Sequence, residues 1–115
     1  MPTDRKELAA LKCVPCRGGV PPLGDLKIRE MLPAVPGWTR IKDEGIDKIR
    51  KEFKFKDFKA AMIFVNKVAD IAEEQGHHPN ILIDWNKVTL TLWTHAIKGL
   101  FDNDFILAAK IDEMK

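Results

Sequence analysis

Asp57-Phe-Lys-Ala-Ala-Met-Ile-Phe-Val-Asn-Lys-Val-Ala-Asp-Ile-Ala-Glu-Glu-Gln-Gly76 is the stretch that decides the fold. It reads as one long helix over residues 58–75. Asp57 is an N-cap residue type, and Gly76 stands where a helix ends in a left-handed residue. Eighteen residues give a rod of about 27 Å. Phe58, Met62, Val65, Ala69 and Ala72 form one apolar row; Ala61, Phe64, Val68 and Ile71 form a second. Together they make a stripe wider than one sheet face requires. The helix is therefore expected to pack partly on a sheet and partly against another subunit.

Strand patterns flank this helix. Before it, residues 38–41 and 48–55 read as two strands, with Asp43-Glu44-Gly45 as the turn. The second strand alternates imperfectly between Ile49, Lys51, Phe53 and Phe55 and charged neighbours, as a half-exposed antiparallel strand does. After the helix, residues 81–84 and 88–93 form a hairpin around Trp85-Asn86-Lys87. Val88, Leu90 and Leu92 share one face, and Thr89, Thr91 and Trp93 the other. A last helix is expected over residues 103–114, capped by Asp102. The order predicts an α+β two-layer sandwich: a four-stranded antiparallel sheet with helices on one face, α-β-β-α-β-β-α.

The N-terminal part reads differently. A short helix over residues 4–12, capped by Thr3, leads into a run rich in Cys, Pro and Gly. A second short helix over residues 26–32 is expected to be capped by Asp25 and ended by Pro33 and Pro36-Gly37. The division is an N-terminal helix and Cys/Pro/Gly-rich arm over 1–23 and a folded domain over 24–115. Cys13-x-x-Cys16 alone is a weak signal. Zinc needs four ligands, which only two chains together would supply here, so the pair reads as part of a packed arm.

Composition limits the function. At 115 residues the chain fits one core. A hydrophobic content of 45% against 31% charged residues suits a globular protein, and a net charge of +2 without a basic stripe gives no reason to invoke nucleic acid. The residues after Met1 lack the apolar segment of a signal peptide, and no run is long enough to span a membrane. The expected location is cytoplasmic.

The chemistry lies in three histidines. His77 and His78 are adjacent, just past the long helix, and followed by Pro79; the third is His95. Histidine titrates near neutrality and suits proton transfer. Glu73 lies four residues before His77, one helical turn back, where its carboxylate favours imidazolium. Pro79 biases His78 toward extended backbone, so the two rings should point apart. Simpler readings exist for each: surface capping for the pair, a structural role for His95, helix-end electrostatics for Asp104, packing for Trp85 and Trp93. Adjacent histidines rarely reach one ion, so no metal site is expected. Spacing alone leaves a proton-transfer site of unknown substrate.

The run Glu73-Glu-Gln-Gly-His77-His78-Pro79, then Trp85, Thr94-His95, Gly99-Leu100, and Asp104 with Ala108 and Ile111-Asp112, resembles the pterin-4a-carbinolamine dehydratase family. Pro36-Gly37-Trp38 matches the family's approach to its first strand, and the resemblance covers about residues 23–114. It implies dehydration of 4a-hydroxytetrahydropterin to quinonoid dihydropterin and water, a step in tetrahydrobiopterin recycling, with no cofactor. By the same resemblance, His77 and His95 are the acid and base and His78 contacts the pterin. Glu73, Pro79, Trp85 and Asp104 complete the substrate-binding set. The family forms homodimers and homotetramers. Some relatives act instead as dimerisation partners of a homeodomain transcription factor or as Rubisco assembly factors. The family often has Thr or Ser where Phe101 stands as helix cap; Asp102 is expected to take that role.

Overall fold

The computed structural model describes residues 4–14 and 18–114. Helices α1 (Arg5–Ala9) and α2 (Asp25–Met31) precede strands β1 (Thr39–Asp43) and β2 (Ile46–Lys54). Then come helix α3 (Phe58–Gln75), strands β3 (Asn80–Asp84) and β4 (Lys87–Leu92), and helix α4 (Asp102–Met114). The four strands form one antiparallel sheet in the order β1-β2-β4-β3, the two-layer α+β arrangement expected. α3 carries the chain from β2 to the far edge, so the second hairpin docks beside the first through β4. Ile49 of β2 pairs with Leu92 of β4, and Phe53 with Val88. That register sets the apolar residues of both strands on the same face.

α3 runs as its caps dictate. The Asp57 carboxylate accepts the Ala60 N–H at 2.8 Å, and Gly76 stops the helix at φ +64°. Of the two apolar rows, Ala61, Phe64 and Val68 are buried, with Val65 and Ala72 from the other row. Phe58 and Ile63 stay about half exposed, at 50% and 53%. α4 is wrapped more completely: every residue from Asn103 to Ala109 is buried. α1 closes its outer side, with Leu8 fully buried and Lys110 Nζ donating to the Ala9 carbonyl at 2.6 Å. The N-terminal helix thus shares the domain's core.

Three local expectations are corrected. α1 is shorter than residues 4–12, and its cap is Asp4, whose carboxylate accepts the Lys6 N–H at 2.8 Å; Thr3 lies outside the described residues. α2 begins at Asp25 itself, with Gly24 in the cap position. The Asp25 carboxylate is drawn instead to Arg29 and to Arg40 of β1. α4 begins at Asp102, and the carboxylate that reaches back to the Phe101 N–H, at 3.0 Å, belongs to Asp104.

Lys51 explains the imperfect alternation of β2. It sits on the core face between Ile49 and Phe53, and its ammonium bonds the Asp112 carboxylate at 3.0 Å. Asp112 also accepts the indole N–H of Trp38 at 3.1 Å. A buried charge needs such partners. No helix among the described residues is long and apolar enough to cross a membrane.

Candidate active site

The C-terminal end of α3, the loop after β4 and the start of α4 enclose a cleft of about 310 Å³. Val14, Gly76, His77, His78, Thr94, His95, Ala96 and Asn103 line it. All three histidines of the chain therefore meet at one hollow, although His95 is 17 residues beyond His78 in sequence.

His77 is set by the helix end: its N–H bonds the Ala72 carbonyl at 3.2 Å. The ring turns inward, 9% exposed, and its Nε2 lies 2.6 Å from Asp104 Oδ1. Asp104 is fully buried, and its other oxygen accepts from Thr94 Oγ1 at 2.8 Å and from the Phe101 N–H at 3.0 Å. A buried carboxylate persists when donors surround it, and this one has three. As acceptor it fixes the His77 proton on Nε2 and leaves Nδ1 as the nitrogen free for chemistry.

His78 turns outward, and its Nε2 meets Glu73 Oε2 at 3.3 Å. Glu73 was expected to stand behind His77. The helical spacing that suggested this does not extend past Gly76, where the backbone leaves the helix. His77 swings into the core, and Glu73 is left facing His78 at the surface. That pair is exposed and screened by solvent.

His95 sits in a tight turn after β4. Thr94 and Gly99 bridge antiparallel, with the Thr94 N–H bonded to the Gly99 carbonyl at 2.8 Å. A Cβ at Gly99 would lie 2.5 Å from Cβ of Pro22, so only glycine lets the loop close here. The His95 ring makes no side-chain hydrogen bond among the described residues; it stacks on Trp93 at 4.3 Å between centroids, 29° from parallel. Lys48 Nζ lies 3.9 Å from the centre of the Trp93 ring and 3.0 Å from Asp43. The indole is thus what orients His95. Its ring protons should resonate upfield in wild-type protein and move toward free-histidine positions in Trp93→Ala. Identical ¹H–¹³C spectra would contradict the stack.

The sequence reading gave no site role to Asn103 or Val14, named Thr94 only as part of the family-like run, and took Trp93 for a packing residue. Asn103 clamps the N-terminal arm: its carboxamide accepts the Val14 N–H at 2.9 Å and donates to the Val14 carbonyl at 2.6 Å. Nothing local in sequence signals a contact spanning 89 residues. Pro79 follows the His pair directly, but Trp85 stands at the opposite end of the β3–β4 hairpin, 63% exposed, and lines no part of the cleft.

Cys13 lies beside the site, with its N–H on Gln75 Oε1 at 2.9 Å. Burial pushes its thiol up to about 11. The thiol therefore stays protonated at neutral pH, with a thiolate fraction of roughly 10⁻³ at pH 8. In a Cys16→Ser variant, alkylation of Cys13 should be slow at pH 8 and accelerate as pH rises toward 11. Fast labelling at pH 8 would contradict the burial. Cys16 itself is outside the described residues.

Comparisons with known proteins bear on the family and the fold. The sequence profile described as pterin 4 alpha carbinolamine dehydratase matches residues 21–114. The fold is similar to a transcriptional coactivator/pterin dehydratase from Brucella melitensis, with 35% identity and a TM-score of 0.74 over 81% of this chain and 97% of that one. It is also similar in fold to a pterin dehydratase-like protein identified as a RuBisCO assembly factor in the alpha-carboxysome. That match has 24% identity and a TM-score of 0.58, over 68% of this chain and 88% of that one. With the profile spanning most of its length, the chain belongs to the pterin 4 alpha carbinolamine dehydratase family.

Proposed function

We propose that the protein dehydrates 4a-hydroxytetrahydropterin, in the recycling of tetrahydrobiopterin. The observation that carries this reading is the convergence of His77, His78 and His95 on one cleft, with the buried Asp104 carboxylate held against His77. The reaction needs one base and one acid. The proton on N5 leaves to the base, the N5 electrons form the C4a=N5 bond, and the C4a–O bond breaks. The departing hydroxyl takes a proton from the acid and leaves as water. No electrons are exchanged with another molecule.

His77 suits the base. Its Nε2–H is held by Asp104, Nδ1 is free to accept, and the carboxylate offsets the imidazolium that forms. His95, exposed and oriented by Trp93, suits the acid, because solvent can reload it. His78 is placed to contact the pterin at the mouth, braced by Glu73. Trp85 stands outside this set within one chain. General acid–base help of this kind supplies roughly 10²- to 10⁴-fold per group. Purified protein should accelerate loss of the 4a-hydroxy species followed by ultraviolet absorbance, and His95→Ala should lower kcat about a hundred-fold. Wild-type protein without acceleration, or an unimpaired His95→Ala, would overturn the reading.

A second reading is a dehydratase-like interaction protein, as a transcriptional dimerisation cofactor or a Rubisco assembly factor. Phe58 and Ile63, half exposed on α3, favour a partner surface. The same surface suits a second copy of this chain, in a cytoplasmic homodimer or homotetramer. The absorbance assay separates catalysis from this role.

A further inference from the structure

Lys48 is 8% exposed, yet it does not point into the core. Ile49, the next residue of β2, is fully buried there, and strand alternation turns Lys48 to the opposite face of the sheet. A lysine is rarely buried to this degree unless its charge is partnered. This ammonium has two partners. Asp43 Oδ2 lies at 3.0 Å, and the centre of the Trp93 ring at 3.9 Å.

The strand register explains the second partner. Ile49 pairs with Leu92, so one step further the antiparallel ladder sets Lys48 beside Trp93, where β4 has ended and the chain turns toward the cleft. The Trp93 indole makes no hydrogen bond among the described residues, so contacts to its ring hold its orientation. Those contacts are the Lys48 ammonium and the His95 imidazole, stacked at 4.3 Å. His95 is exposed, and a ring with no polar tether keeps one orientation only if the surface beneath it is fixed. Asp43, Lys48, Trp93 and His95 form one chain of contacts from the end of β1 to the cleft.

We propose that Lys48 is a positioning residue for the reaction. It touches no reacting atom; it fixes the Trp93 ring on which His95 lies and so holds the proton donor in place. The proposal rests on the dehydratase reading for the role of His95. A cation over a desolvated indole face holds the ring, and lost orientation at a proton donor costs rate more than affinity.

Lys48→Met keeps the length of the side chain and removes its charge. It should lower kcat about three- to ten-fold with KM within about two-fold of wild type. The His95 ring protons should lose most of their upfield displacement. Lys48→Arg keeps a cation over the ring and should restore both properties. The route through Trp93 is read from a double-mutant cycle: in a Trp93→Ala background, Lys48→Met should cost no further kcat. Wild-type kcat or wild-type His95 shifts in Lys48→Met, or losses that add in the double variant, would overturn the proposal.

Asp43→Ala tests the same chain from its solvent end, where the carboxylate side chain is 61% exposed. It frees the ammonium and should move the His95 resonances in the same direction as Lys48→Met, by a smaller amount. If Lys48→Met does not fold, unchanged His95 shifts in Asp43→Ala overturn the proposal. If wild-type protein dehydrates nothing, the dehydratase reading fails by itself and the spectra decide the positioning. His95 shifts lost in Lys48→Met and kept in Lys48→Arg support it; shifts unchanged in Lys48→Met overturn it.

Discussion

Asp104→Asn is expected to leave the protein folded and to lower the dehydration rate by roughly 10²- to 10⁴-fold. The substitution keeps the side chain's shape and removes its charge. Two donors meet Oδ2: the Thr94 hydroxyl and the Phe101 backbone N–H. The backbone donor cannot turn around, so the amide oxygen of the variant must stay on that side. Its NH₂ then faces His77 Nε2, which must become the acceptor. The imidazole proton moves to Nδ1, the nitrogen meant to receive the substrate proton, and the base is blocked. No carboxylate remains to offset the imidazolium. The kcat loss should accompany a change of His77 tautomer, read from ¹⁵N shifts, with little change in Tm. Thr94→Val removes one donor to the same carboxylate without reversing the His77 bond and should have a far smaller effect on kcat. If Asp104→Asn turns over like wild type, His77 is not the base.

Phe53→Ala is expected to destabilise the fold by about 3–5 kcal/mol. Phe53 is 1% exposed and stands where the sheet meets α3. Its ring meets Phe64 of α3 at 4.7 Å between centroids and Trp38 edge-on at 6.2 Å. Removing it leaves a cavity lined by rigid aromatic rings that close poorly over the gap, and also loses the aromatic pairs. A domain of this size has about 5–15 kcal/mol in total, so the loss is a large part of its stability. Urea unfolding followed by circular dichroism would measure it. A loss under about 1 kcal/mol would mean that the core closes over the vacancy.

Much of the fold is legible one segment at a time. The ends of α3 are written in Asp57 and Gly76, and the alternation of Val88, Leu90 and Leu92 assigns β4 its buried face. These features depend on backbone sterics and side-chain periodicity within a few residues. The site is legible to a lesser degree. The placement of His77 and His78 at a helix end follows from Gly76, but the partners do not. Glu73 would face His77 only if the helix ran on. Asp104 has the position of a helix-end acid, and folding makes it the buried partner of His77, 27 residues away. Trp85 belongs to the family pattern, yet the length of the β3–β4 hairpin carries it away from the cleft.

The sequence by itself determined the layer order, the long helix and both hairpins, and its motif residues pointed to the family. The layer order, helix and hairpins are encoded in local dihedral preference and hydrophobic period. Only the tertiary structure decided that His77 answers to Asp104 and His78 to Glu73, that Trp93 orients His95, and that Asn103 ties the N-terminal arm to the cleft. Each of these is a contact between segments brought together by burial of the common core. Their geometry depends on where the whole chain closes and not on any spacing within it.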